Sequence, residues 1–86
     1  MNPSNQQKSA LLFLRLIGQQ SEKVVKALAL HPTREPYAHE FCLQTKLPAG
    51  SVRRALEYLL KKDIIYINEN GVYQILDPAI KYYFLF

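Results

Sequence analysis

The sequence predicts an α+β domain that is mostly helical, and two adjacent patterns carry the prediction. Apolar residues recur between positions 51 and 62 at the spacing that lines one buried helix face: Val52, Ala55, Leu56, Leu59 and Leu60. Directly afterwards the pattern changes to two short strands, 64–68 and 72–76, on either side of the turn residues Glu69-Asn70-Gly71. A helix that leads straight into a β-hairpin is therefore expected at the centre of the fold.

The composition is that of one globular domain. The chain has 86 residues, of which 49% are hydrophobic and 21% are charged. The single cysteine, Cys42, excludes an intramolecular disulfide and is expected to be a small buried residue. No secretory signal or membrane span is predicted, because Arg15 interrupts the apolar run 11–17 and a bilayer requires ~20 residues. We therefore expect a cytoplasmic protein without a membrane partner.

The first 18 residues are predicted to form a unit separate from residues 19–86. Residues 1–7 are polar and predict a frayed leader. Residues 8–17 predict a short helix that ends at Gly18, since glycine commonly follows a helix C-terminus. This helix is apolar on nearly all sides, so a partner surface is expected to cover part of it.

Two more helices are expected before the central one. Ser21 is predicted to cap the first, which ends at His31-Pro32 because the residue before a proline leaves the α region. Pro36 is predicted to open the second, at a position where a missing N–H costs little. After the turn 47–50, Ser51 is predicted to cap the central helix. Two short helices joined by such a turn form a helix-turn-helix.

The hairpin and the last helix complete the predicted architecture. Asn70-Gly71 is a strong hairpin signal because both residues tolerate a positive φ, and Tyr66 and Tyr73 are expected on one face. Asp77 is predicted to cap a final aromatic helix that begins at Pro78. The expected fold is thus a winged helix-turn-helix with a two-stranded β-hairpin wing, an extra N-terminal helix and a C-terminal helix.

The positive charge of the chain is concentrated around the central helix. The net charge is +4, and residues 46–62 account for all of it, with five basic side chains against Glu57. Such a patch is typical of a surface that faces phosphates. The candidate DNA-contacting residues are Lys46, Ser51, Arg53, Arg54, Tyr58, Lys61 and Lys62.

Two features favour instead a solvated or protein-facing helix. Glu57 lies one turn after Arg53 and can neutralise it in an i, i+4 pair. The tip of the wing carries Glu69 and no basic residue, although a wing that reads DNA usually presents lysine or arginine. The sequence is therefore compatible with a helix 51–62 that contacts DNA and with one that faces solvent or another protein.

No residue pattern indicates an enzyme. The three glycines are isolated, so no Gly-rich phosphate loop is present, and no nucleophile stands in a recognisable relation to a base. His39 and Cys42 form a single ligand-like pair, which is too little for a metal site. We expect no catalytic residue, no metal and no cofactor.

Four segments together carry a resemblance to a known family: Pro36-Tyr37-x-x-Glu40-Phe41, Ser51-Val52-x-Arg54-Ala55-Leu56-x-x-Leu59, Lys62-Asp63-Ile64-Ile65 and Tyr73-x-Ile75-x-Asp77-Pro78. In this order and spacing, residues 20–86 resemble the C-terminal winged-helix domain of archaeal- and bacterial-type P-loop ATPases of the AAA+/STAND group. The chain departs from that family at Ala79-Ile80 and at Tyr83-Phe84, where bulky aromatic residues and Trp-Leu are common. The resemblance implies an accessory module that binds DNA or packs on the ATPase core.

Three functional hypotheses follow. The first is a non-enzymatic winged-helix module of a P-loop ATPase that contacts double-stranded DNA through helix 51–62. The second is a protein-interaction module that self-associates or docks on the ATPase core through its apolar termini. The candidate residues of that surface are Leu12, Phe13, Leu16, Tyr82, Tyr83 and Phe86. The third is a small stand-alone transcriptional regulator.

Overall fold

The computed structural model describes the backbone of residues 3–85 and the side chains of residues 10–85. Within that range the elements are α1 (Pro3–Ile17), α2 (Gln19–Leu30), α3 (His39–Thr45), α4 (Ala49–Lys61), β1 (Ile65–Ile67), β2 (Tyr73–Ile75) and α5 (Pro78–Leu85). The predicted fold class, a mostly helical α+β domain with a two-stranded hairpin and a helix at each end, is confirmed.

Helix α2 lies at the centre of the core and packs against the other four helices and β2. The predicted apolar stripe of α4 points into this core, where Val52, Leu56 and Leu59 have no exposed surface. Cys42 is buried, as predicted. Burial of each large aliphatic side chain stabilises the fold by roughly 1.5–3 kcal/mol. The α2–α4 contact therefore holds the helix-turn-helix in place.

The N-terminal helix is longer than predicted. It begins at Pro3, so residues 3–7 are helical and do not form a frayed leader, while Met1 and Asn2 lie outside the described residues. The helix packs against α2 and α5. Gly18 ends it with φ +92° and ψ 160°, which is not the left-handed helical conformation of a usual C-terminal glycine. The division of the chain into two units at residue 18 stays a prediction.

Two predicted serine caps are wrong. The helices begin at Gln19 and Ala49, two residues before Ser21 and Ser51, and both serines are buried in a first turn. The cause is the backbone, because the Glu22 N–H already donates to the Gly18 carbonyl at 2.9 Å. The Val52 N–H likewise donates to the Pro48 carbonyl at 3.1 Å, with no side-chain cap at either start.

The prediction that Pro36 opens a helix is also wrong. The Ala38 N–H donates to the Glu35 carbonyl at 3.1 Å, which makes residues 35–38 a β-turn. Proline is favoured at the second position of such a turn, since its ring fixes φ near −65°. Helix α3 therefore starts at His39, and the turn brings Tyr37 to the surface.

A hydrogen-bonded C-cap turns the chain from α4 into the wing. The Ile64 N–H donates to the Leu59 carbonyl at 3.0 Å and the Asp63 N–H to the Leu60 carbonyl at 3.1 Å. This is the Schellman arrangement, in which the residue after the cap adopts a left-handed conformation. Asp63 does so with φ 57°, although glycine is the usual residue there.

The two strands are antiparallel, with Ile65 opposite Ile75, Tyr66 opposite Gln74 and Ile67 opposite Tyr73. Directly opposed residues share a face and neighbours along a strand alternate, so Tyr66 and Tyr73 lie on opposite faces. The prediction that they share one face is wrong. The Tyr66 hydroxyl instead donates to Gln74 Oε1 at 2.9 Å.

The start of α5 agrees with the prediction. The Ala79 N–H donates to Asp77 Oδ1 at 2.9 Å, and Pro78 is the first helical residue. Ile80 anchors the helix in the core. None of the helices in the described part of the chain has the length and apolar character that a membrane span needs.

Candidate nucleic-acid interface

The turn between α3 and α4 fixes how α4 is presented. Lys46 ends α3 in a left-handed conformation (φ 60°, ψ 30°), and its N–H donates to the carbonyls of Cys42 and Leu43. The hydroxyl of Thr45, which is buried, donates to the Cys42 carbonyl at 2.7 Å and accepts the Leu47 N–H at 3.2 Å. The buried hydroxyl of Thr45 therefore stabilises the turn, while the Lys46 side chain stays exposed.

Six of the seven residues predicted to face DNA are exposed on α4 or near its ends. They are Arg53, Arg54, Tyr58 and Lys61, with Lys46 before the helix and Lys62 after it. Ser51 is the exception, because it is buried and its Oγ accepts a hydrogen bond from Arg54 Nη2 at 3.4 Å. Ser51 thus orients the Arg54 side chain through this hydrogen bond and does not itself lie on the surface.

Arg53 contacts an aromatic side chain outside the predicted set of DNA-contacting residues. Its guanidinium carbon lies 5.5 Å from the centroid of the Tyr37 ring, within the range of a cation–π interaction. Tyr37 comes from the β-turn before α3 and is 46% exposed. This places the arginine over Tyr37 and makes Tyr37 a member of the same surface. In the sequence, only Pro36, which is typical of a turn, indicates that Tyr37 lies at the surface.

Hydrogen bonds to Asn68 form the tip of the wing, which carries no basic residue. Asn68 Oδ1 accepts the N–H groups of Asn70 at 2.8 Å and Val72 at 3.0 Å, and Gly71 adopts φ +79°. Glu69 is the only charged residue between positions 64 and 76, and it is exposed. A carboxylate at this tip repels phosphate, so α4 offers the more favourable surface for an anionic partner.

The order of these elements and the hairpin that follows α4 agree with a comparison with protein families. A family model described as a probable winged helix domain matches residues 11–85. The chain belongs to this family. Neither the curated proteins nor the solved structures that were compared include a match to the chain. Winged-helix domains serve as nucleic-acid-binding or interaction modules, so both classes of surface on this one are relevant.

The residues predicted for protein contact differ in exposure on this winged-helix domain. Leu12 and Leu16 of α1 are 62% and 84% exposed, and Tyr82 of α5 is exposed as well. Phe13 and Tyr83 are partly buried and pack against the core. Phe86 lies outside the described residues.

The histidine and cysteine side chains are not arranged as a metal site. His39 is exposed at the start of α3, whereas Cys42, one turn later, is buried. Across residues 10–85, no group of three His, Cys, Asp or Glu side chains is close enough to hold a metal ion.

Proposed function

We propose that this winged-helix domain is a non-enzymatic module that binds double-stranded DNA through the exposed face of α4. The observation that carries the proposal is the shared exposure of Arg53, Arg54 and Lys61 on a helix whose other face is fixed in the core. In helix-turn-helix proteins the second helix enters the major groove with its N-terminal residues at the base edges. Arg53 and Arg54 lie in the first half of α4, which suits that role.

The basic residues of this surface divide into two groups. Arginine presents a planar fork of N–H donors that matches the acceptors of guanine, so Arg53 and Arg54 suit base or phosphate contacts. Lys46, Lys61 and Lys62 stand at the two ends of the helix and suit phosphates. The acidic wing tip adds no such contact, which predicts a binding surface centred on α4.

Titration of a labelled mixed-sequence duplex, followed by fluorescence anisotropy at two salt concentrations, tests the proposal. Affinity should fall steeply as salt rises, with a slope that grows by about 0.9 for each phosphate contacted. Arg53→Gln/Arg54→Gln should weaken binding. Arg15→Gln/Lys81→Gln removes the same charge from α1 and α5 and should have a much smaller effect. Equal affinities for the two double variants would refute the role of α4.

The link to a P-loop ATPase is proposed on the sequence resemblance of residues 20–86 alone. In that setting the module would place DNA next to an ATPase core. The reading frame that precedes Met1 tests the link, since it either encodes a phosphate-binding loop or does not. A frame without one would favour the stand-alone regulator.

A second candidate function, self-association, is favoured by the exposure of Leu12 and Leu16. They stand four residues apart on α1, so they share one face of a helix whose opposite face is buried. Sedimentation of the protein and of Leu12→Gln/Leu16→Gln tests it. A concentration-dependent dimer that the substitutions abolish supports this function, and a monomer at all concentrations excludes it.

A further inference from the structure

A basic groove separates α2 from the C-terminal end of α3 on a part of the surface that α4 does not form. Its volume is about 210 Å³. Its lining includes Lys23, Lys26 and Lys46, together with His31 and the apolar residues Ala27 and Leu30. Within the described side chains, no carboxylate lines it.

Helix periodicity accounts for the groove. Lys23 and Lys26 are three residues apart on α2, so they lie side by side on its outer face. Leu30 follows one turn later and is 44% exposed. On the α3 side, Glu40 lines a separate hollow that also includes His31. On α2, Glu22 stands four residues before Lys26, but it does not line the groove, so the lining itself holds lysines and no carboxylate.

We propose that this groove binds phosphates of the same DNA duplex that α4 contacts. The proposal rests on the proposed DNA binding, and Lys46 links the two surfaces. Lys46 lines the groove and also stands in the turn that leads into α4. Lys46 therefore stands between the groove and the first turn of α4.

The size and chemistry of the groove favour a phosphate backbone over a small molecule. Pockets for drug-sized ligands begin at about 300 Å³, and this groove is smaller and open to solvent. Lysine acts as a mobile point charge toward phosphate oxygens and needs no fixed planar geometry. A row of lysines therefore suits contacts along a backbone, which carry register and affinity and not sequence.

The salt dependence of DNA binding measures these contacts. Loss of two phosphate contacts lowers the slope of log K against log salt by about 1.8. We expect Lys23→Gln/Lys26→Gln to lower the slope by this amount and to weaken binding at low salt by at least about fivefold. Both lysines are exposed, so the urea midpoint of the variant should equal that of the parent protein.

The experiment uses a labelled duplex of two helical turns, about 20 base pairs, in anisotropy titrations over a range of salt. The parent protein is compared with Lys23→Gln/Lys26→Gln, with Arg53→Gln/Arg54→Gln and with the charge-matched control Arg15→Gln/Lys81→Gln. A reduced slope for the groove variant and not for the control supports the groove. An α4 variant that binds like the control while the groove variant weakens would refute the role of α4, and with it the proposal that one duplex contacts both surfaces.

Three other results would overturn the inference. The groove variant could bind DNA with the slope of the charge-matched control, which leaves the proposed function of α4 intact. The parent protein could show no salt-dependent binding to the duplex, which removes both proposals. Labelled poly-L-glutamate could bind the parent protein and lose affinity in the groove variant while the DNA slope is unchanged, which would assign the groove to an acidic protein partner.

Discussion

The guanidinium of Arg53 lies over the ring of Tyr37, with 5.5 Å between the guanidinium carbon and the ring centroid. The two residues belong to different elements, the first half of α4 and the turn before α3. The contact therefore ties the side chain of the candidate DNA-reading helix to the preceding part of the helix-turn-helix. An arginine held in this way loses less conformational entropy when it meets a ligand.

Replacement of Tyr37 by leucine should weaken DNA binding by roughly two- to fivefold, which corresponds to the 0.5–1 kcal/mol of an exposed cation–π contact. Tyr37→Phe keeps the ring and should bind nearly as well as the parent protein. Anisotropy titration of the same duplex measures both. If the phenylalanine and leucine variants lose the same affinity, the hydroxyl and not the ring of Tyr37 is what matters.

Loss of the N-cap of α5 should lower the stability of the domain. The Asp77→Ala variant removes the acceptor of the Ala79 N–H and should reduce the free energy of unfolding by about 1 kcal/mol. Asp77→Asn keeps a capping oxygen and should retain most of the stability. Urea unfolding followed by circular dichroism compares the two, and identical midpoints for both variants would show that the cap contributes nothing.

Two glycines should respond in opposite directions to alanine. Gly18 has φ +92° and ψ 160°, a region that is nearly exclusive to glycine, so Gly18→Ala should cost about 1–3 kcal/mol although open space surrounds it. Gly50 is the second residue of α4, and an added Cβ meets only Arg54 Nη1 at 4.0 Å. Because its backbone suits alanine, Gly50→Ala should stabilise the domain by about 0.4–1 kcal/mol. Urea unfolding of both variants measures the sign, and a destabilised Gly50→Ala would contradict the expectation.

A glycine substitution at the left-handed C-cap of α4 should stabilise the domain. Asp63 has φ 57°, a conformation that costs an L-residue other than glycine about 1–2 kcal/mol. Asp63→Gly should recover part of this cost, while Asp63→Ala should not, since alanine keeps the Cβ. Thermal or urea unfolding distinguishes them, and a glycine variant no more stable than the alanine variant would refute the argument.

The buried and exposed faces of α2 and α4 could be predicted because burial follows a period that apolar residues record directly. The first residues of α2, α3 and α4 could not be predicted. Serine is a common cap, but the two helices already begin after Gly18 and Pro48, whose carbonyls accept the first helical hydrogen bonds from Glu22 and Val52. Residue preference alone predicts serine caps, whereas both serines lie inside the first turn and are buried.

The candidate site shows the same limit. The exposed basic residues of α4 followed from its helical period. The contact between Arg53 and Tyr37 did not, because it joins residues far apart in the chain that meet only once α3 packs on α4. The groove between α2 and α3 was also missed, since Lys23 and Lys26 looked like ordinary outward-facing lysines until Lys46 was placed beside them.

The stability of the domain should fall at high pH in a way that depends on Tyr73. Burial raises the pKa of the Tyr73 phenol above its ordinary value of 10.0, and the nearby Tyr37 phenol raises it further. The folded protein therefore holds this proton more tightly than the unfolded chain. The resulting contribution to stability is complete below about pH 10 and is lost as the pH rises through the folded value.

Comparison with Tyr73→Phe isolates this contribution from the other tyrosines and lysines that titrate in the same range. The free energy of unfolding, measured in urea between about pH 8 and 11, should decline more for the parent protein than for the phenylalanine variant. The two curves should be parallel below pH 9, because neither state of the protein has an ionised Tyr73 there. Curves that stay parallel to the highest pH would show that Tyr73 titrates alike in the folded and unfolded protein.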